Sequence, residues 1–243
     1  KGALLNYRYE AFAGHVITVY VVDTSPFDLT HEEFTAPSTD VTRRELNVAR
    51  NRKSNLEDNQ GGTCVASKTV GVTTGEARRA SLVDVRIDFT EFGLLGGIQA
   101  VSKDTKQKGL KDQAVVTTSI LMRAPDAVYT TPMRSVIRGL TSLDIPVVAA
   151  AGGKSSDNIA EPDELPAAMA KGFSVIVIDS GISFAAPQVA GMMAYWVSHL
   201  GFVSDLAPGS VAETLRIITG ALPYRRVAEA GYPPIAWDGH DLA

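Results

Sequence analysis

Cysteine is almost absent from this chain. The lone Cys64 excludes an internal disulfide but says little about compartment. Histidine is scarce too, at four residues, His15, His31, His199 and His240, so any chemistry that needs an imidazole has few candidates. No apolar run reaches the roughly 18 residues needed to span a membrane. No Asn-x-Ser/Thr acceptor occurs. No run of Lys and Arg is dense enough for a nucleic-acid footprint, and the formal net charge is −4 with a pI near 5.6. The basic group Arg43, Arg44, Arg50, Arg52 and Lys53 is interspersed with acids and reads as a solvated loop. The first residues carry no signal-peptide pattern, and the chain starts at Lys1 rather than Met, as a processed or trimmed form would.

What is present is an ordinary globular composition, 45% hydrophobic and 21% charged over 243 residues. This is enough for one sizeable α/β domain spanning residues 1–243. The run His15–Asp23 is β-branched and ends in an acid, which predicts a buried parallel strand with Asp23 at its carboxyl end. Residues 35–60 read as a polar surface loop. A helix is predicted from near Gly62 through Thr69, then a strand over Ser81–Ile87 and a helix over Glu91–Ser102. Further strands are predicted at Gln113–Ile120, Ile145–Ala151 and Phe173–Ile178. Further helices are predicted at Ala127–Ser142, Phe184–Leu200 and Ser210–Thr219. Alternating strands and helices argue for a mostly parallel sheet covered on both faces, with functional groups gathered at the carboxyl ends of its strands.

One segment invites chemistry: Gly181-Ile182-Ser183-Phe184-Ala185-Ala186-Pro187-Gln188-Val189-Ala190-Gly191. A Ser after a Gly-x pair, at the opening of an apolar helix, lies where backbone N–H groups and the helix dipole can hold an oxyanion beside a nucleophilic hydroxyl. Read locally, Ser183 can equally be a cap for a buried helix. Small residues at 185, 186, 190, 191 and 194 are expected to let that helix lie close to the sheet.

This segment resembles the nucleophile motif of the subtilisin-like serine peptidases, Gly-Thr-Ser-x-Ala-x-Pro, with Ile182 in place of Thr. Val21-Val22-Asp23-Thr24-Ser25, followed by His31 and Phe34, is similar to the aspartate segment of that family, with Ser25 for the usual Gly. The tail Ile235-Ala236-Trp237-Asp238-Gly239 looks like that of fungal-type members. The resemblance implies a three-layer α/β/α fold around a mostly parallel sheet, Ser183 as nucleophile and Asp23 as the acid that orients the base. It also implies peptide or protein as substrate or partner, and a secreted rather than cytoplasmic protein.

The chain departs from that family at four points. Where the family reads Gly-His-Gly-Thr-His-Val-Ala, this chain has Asn59-Gln60-Gly61-Gly62-Thr63-Cys64-Val65-Ala66-Ser67. Either Gly61 occupies the histidine position, or Gly61 matches the first Gly and the histidine is deleted. Pro146–Gly153 resembles Pro-Val-Val-x-Ala-Ala-Gly-Asn, so Gly153 replaces the Asn whose amide holds the oxyanion. In the substrate-pairing strand, Ser119-Ile120-Leu121 replaces Ser-Leu-Gly. The stretch from Ala170 to Gly181 is several dozen residues shorter than the family's.

No other group is an evident base. His31 matches a family position that is not the base, His15 lies before the first strand, and His199 ends the serine helix, about 24 Å from Ser183 at about 1.5 Å per residue. His240, in the tail, stays open as a substitute. Cys64 reads as a buried, inert thiol near the vacated position. Ala151-Gly152-Gly153-Lys154-Ser155 is not a phosphate loop, because Val148 stands where its first Gly belongs. No cofactor and no acidic calcium loop is assigned. The expected function is that of a peptidase homologue with impaired or absent hydrolysis, kept for binding peptide or protein. The alternatives are an acyl-transfer enzyme using Ser183 with a substitute base, and different small-molecule chemistry in the same cleft.

Overall fold

A computed structural model describes residues 10–50, 60–120, 122–123, 127–150, 164–165, 175–178, 182–199 and 206–221. Strand β1 (Thr18–Asp23) is followed by β2 (Arg43–Glu45), helix α1 (Gln60–Val70), β3 (Ser81–Arg86), α2 (Glu91–Lys108), β4 (Ala114–Thr118), β5 (Met122–Arg123), α3 (Ala127–Thr141), β6 (Val147–Ala150), β7 (Glu164–Leu165), β8 (Val175–Ile178), α4 (Ile182–Ser198) and α5 (Val211–Ala221). Six strands form one parallel sheet in the order β2-β3-β1-β4-β6-β8. The short β5 and β7 pair antiparallel as a separate two-stranded ribbon.

The central strands are apolar on both sides because both sides are covered. Val19, Val21, Leu82, Val115 and Val148 pack with α1, α4 and α5 through Val65, Ala190, Met193 and Leu215. Tyr20, Val22, Val83, Val85 and Val116 pack on the other face with Leu94, Ile98, Ile137 and Leu140 of α2 and α3. This is the three-layer arrangement expected from the sequence. Going along the chain, strands are added on the β3 side of β1 and then on the β4 side. The switch between the two directions therefore falls between β1 and β4, where such sheets open a crevice at their carboxyl ends.

Several elements differ from the sequence expectations. The first strand begins at Thr18, because residues 11–16 turn and Val16 takes a positive φ of 62°. Arg43 and Arg44 are not in a loop but in edge strand β2, which its pairing with β3 creates. Arg44 ion-pairs with Asp104 of α2, which also accepts a hydrogen bond from the buried Tyr20 hydroxyl at 2.5 Å. Helix α2 runs six residues past Ser102 to Lys108, stopped by Gly109 at φ 66°, whose N–H closes onto the last turn. Helix α4 starts at Ile182, so Ser183 lies within its first turn and is not its cap. Gly191 on α4 faces α1 rather than the sheet, since a Cβ there would lie 2.9 Å from the Thr69 carbonyl oxygen.

Candidate functional site

Two of the sequence-picked segments meet at the carboxyl edge of the sheet. Asp23 is the last residue of β1 and only 7% exposed. One of its carboxylate oxygens accepts the Ser25 N–H at 3.0 Å. Burial pushes the Asp23 carboxyl above its ordinary range, while the N–H groups of Ser25 and Thr24 pull it back. Among the described residues no cation forms an ion pair with it.

The amino end of α1 is set against this turn. A Cβ on Gly62 would lie 2.6 Å from the Phe27 ring and 2.7 Å from the Ser25 carbonyl oxygen, so only glycine fits there. A Cβ on Gly61 would meet, among the described residues, only the Ser25 hydroxyl, at 3.9 Å. Position 61 thus has room for a side chain and position 62 has none. Thr63 helps hold the two segments together by accepting the Asp28 N–H at 2.9 Å. Cys64 is exposed on α1, which corrects its reading as a buried thiol. A helix residue one step past the buried Gly62–Thr63 pair turns away from the sheet.

Sequence reasoning missed Asp84. It lies on β3 in register with Val21, two residues short of Asp23 on the neighbouring strand, and is 2% exposed. Its Oδ2 accepts the Phe27 N–H at 3.2 Å, and its Oδ1 has no hydrogen-bond partner among the described residues. Desolvation, aided by the charges of Glu45 and Asp23 and opposed by Arg86, pushes its carboxyl up to about 7. The available signal was an acid inside Leu82-Val83-Asp84-Val85, a run whose other members are all apolar.

Ser183 is the second residue of α4. Pro187, four residues later, has no N–H to offer the Ser183 carbonyl, so the first turn is less tightly closed than the rest of the helix. Ser119 and Ile120 follow β4, the strand that neighbours β1 across the switch, and both are half-buried. Leu121, Gly153, Gly181, His240 and the tail 235–239 lie outside the described residues. The other histidines are all engaged elsewhere. His15 pairs with Asp40 at 3.3 Å, His31 caps the short helix Glu32–Phe34, and His199 meets the Phe12 ring edge-on at 5.6 Å between centroids. Among the described residues no group of His, Cys, Asp and Glu is arranged to hold a metal ion. None of the described helices is long and apolar enough to cross a membrane.

No family model matches the chain. Curated relatives nevertheless share most of it. "Subtilisin-like serine protease Pen ch 13" of Penicillium rubens is 27% identical over 248 aligned positions, covering 88% of this chain and 60% of the relative. "Subtilisin-like protease 7" of Trichophyton soudanense is 26% identical, covering 79% of this chain and 54% of the relative. The chain thus spans roughly 60% of the length of the first of these relatives and less of the second. Among solved structures, a cold-adapted subtilisin-like serine proteinase superposes with a TM-score of 0.66 at 19% identity, covering 95% of this chain and 90% of that one. The self-cleaved protease domain of PatA gives 0.60 at 19% identity over 87% of this chain and 90% of that one. The fold is therefore subtilisin-like, and the sequence is similar to fungal proteins named as subtilisin-like serine proteases.

Proposed function

We propose that this chain is a subtilisin-like serine peptidase homologue whose hydrolytic chemistry is impaired or absent, and whose cleft holds a peptide or protein. The observation that carries this reading is Gly61. It sits at the amino end of α1 against Ser25, two residues beyond a buried acid that meets no imidazole among the described residues. A serine hydroxyl is a poor nucleophile near neutral pH unless a neighbour accepts its proton. In subtilisin itself, removing the Ser or the His alone lowers kcat by about 10⁶. In this reading Ser183 and Asp23 are the surviving members of the triad. Gly153 in place of an oxyanion-holding Asn weakens the site again, since one such donor is worth about 10²–10³ in rate. Ser119, Ile120 and Leu121 would line the bound peptide, with Leu121 crowding an approach that glycine would leave open. A secreted location and a fungal-type origin go with the relatives and belong to the same proposal.

The decisive experiment treats the purified chain with a fluorophosphonate probe and a chromogenic peptide, beside Gly61→His and Ser183→Ala variants. The proposal expects no labelling of the unaltered chain, with labelling of Ser183 gained in Gly61→His. Prompt labelling of Ser183 in the unaltered chain would favour an enzyme with a substitute base.

A further inference from the structure

We propose that Asp84 is a proton-operated latch. With its carboxyl neutral it pins the turn of residues 24–28 to the sheet and to the head of α1, and on losing its proton it lets that turn move out so that water reaches the charge. The latch goes beyond the peptide-binding reading above and does not rest on it.

The geometry is that of a carboxyl set in an apolar wall. Asp84 is in register with Val21 and two residues on from Leu82, and both of those belong to the core under α1 and α4. It is buried, its Oδ2 takes one N–H, from Phe27, and its Oδ1 has no hydrogen-bond partner among the described residues. A carboxylate there loses its water and regains a single donor. Nearby charges do not make up the difference. Strand β2 contributes Glu45 and β1 contributes Asp23, both negative, while Arg86 on β3 opposes them only weakly. Helix α1 carries one charge, Lys68 in its last turn, and α4 carries none. Asp28, in the turn itself, directs its carboxylate to Thr30. The carboxyl of Asp84 is accordingly pushed up to about 7.

The turn is the part that can yield. Strands β1 and β3 are each paired on both edges, whereas the turn hangs on few bonds. The Ser25 N–H goes to Asp23, the Phe27 N–H to Asp84 and the Asp28 N–H to Thr63 of α1, with the Phe27 ring over Gly62. A closed form that holds the carboxyl at about 7 and an open form that returns it to 3.8 are linked to protons. The open-to-closed ratio then rises about a hundredfold from about pH 5 to about pH 8.

The test is amide hydrogen exchange on the intact chain across that range, corrected for the intrinsic chemical rate. The reporter is the Asp28 N–H, which is bonded to Thr63 and not to Asp84. The expected result is that Asp28 opens more often than Val19 and Tyr20 of β1, and that its opening constant rises about a hundredfold with pH. In Asp84→Asn, which keeps an acceptor for Phe27, the constant should stay flat. The proposal is overturned if Asp28 shows no rise in the parent, or if it rises equally in Asp84→Asn. It is also overturned if Asp28 exchanges no faster than Val19 and Tyr20, since the opening would then be global unfolding. A second measurement needs no variant. The carboxyl carbon shift of Asp84 and the amide shifts of Phe27 and Asp28 should titrate with one midpoint, and separate midpoints would equally overturn the latch.

Discussion

At the scale of single residues, the buried acids set the behaviour of the crevice. Asp84 has its carboxyl pushed up to about 7 in the folded chain against an ordinary 3.8. A raised acid favours the fold while protonated. Its contribution is complete below about pH 3.8 and is lost as pH rises through about 7. The span corresponds to something on the order of 4 kcal/mol at about 1.4 kcal/mol per tenfold change. Asp84→Asn keeps an acceptor for the Phe27 N–H and removes the charge. Chemical denaturation at about pH 5 and about pH 8 should find the variant more stable than the parent at the higher pH, with most of the dependence gone. Equal slopes in both proteins would reject this role for Asp84. Val16 offers a second test. It is exposed, β-branched and held at φ 62°, a conformation that costs a branched L-residue about 1–2 kcal/mol. Val16→Gly should therefore raise the denaturation midpoint, since relief of the branched side chain outweighs the extra chain freedom of glycine. Asp23 was legible from the sequence because an acid closing a β-branched run marks a strand end. Asp84 was marked only as a lone acid in an apolar run, and its place two residues short of Asp23 follows from the register of β3 on β1, which the sequence does not carry.

At the scale of elements, close contacts between helices carry the sharpest consequences. Gly191 brings α4 against α1, and an added Cβ would meet the Thr69 backbone and the Glu76 side chain at about 2.9 Å. Gly191→Ala should cost about 1–3 kcal/mol by overpacking, read as a lower thermal midpoint, and should do so without touching the crevice. Helix α5 is held by a distant acid instead. Asp144 lies after α3, is 1% exposed, and accepts the N–H groups of Gly209 at 2.7 Å and Val211 at 3.0 Å. Asp144→Ala should cost about 1–3 kcal/mol through loss of that cap, again read by denaturation. The helices were legible to within a few residues wherever apolar spacing was strong. The true end of α2 had its signals in Lys106, Lys108 and Gly109, a basic last turn followed by a glycine. Strand β2 had none. Arg-Arg-Glu carries no apolar pattern, and only the partner strand β3 makes it a strand.

At the scale of the whole molecule, the sheet divides the interior into two separate cores. Strands β1 and β4 lie at its centre, paired on both edges and covered on both faces. Amide hydrogen exchange should be slowest in these two strands and fastest in β2 at the sheet edge. Exchange in β2 as slow as in β1 would contradict that hierarchy. Alternating elements made the layered architecture legible from the sequence, whereas strand order was not, because it is set by which crossover packs against which face.

One connection has a mechanical corollary. Outer strand β8 stops at Ile178 and α4 opens at Ile182, so four Cα steps, at most about 14 Å of chain, join them. Helix α4 then runs back over β6, β4 and β1. Strand and helix are thereby leashed like the two arms of a crank. A force or a partner that displaces β8 drags the start of α4 along, and with it the backbone that carries Ser183.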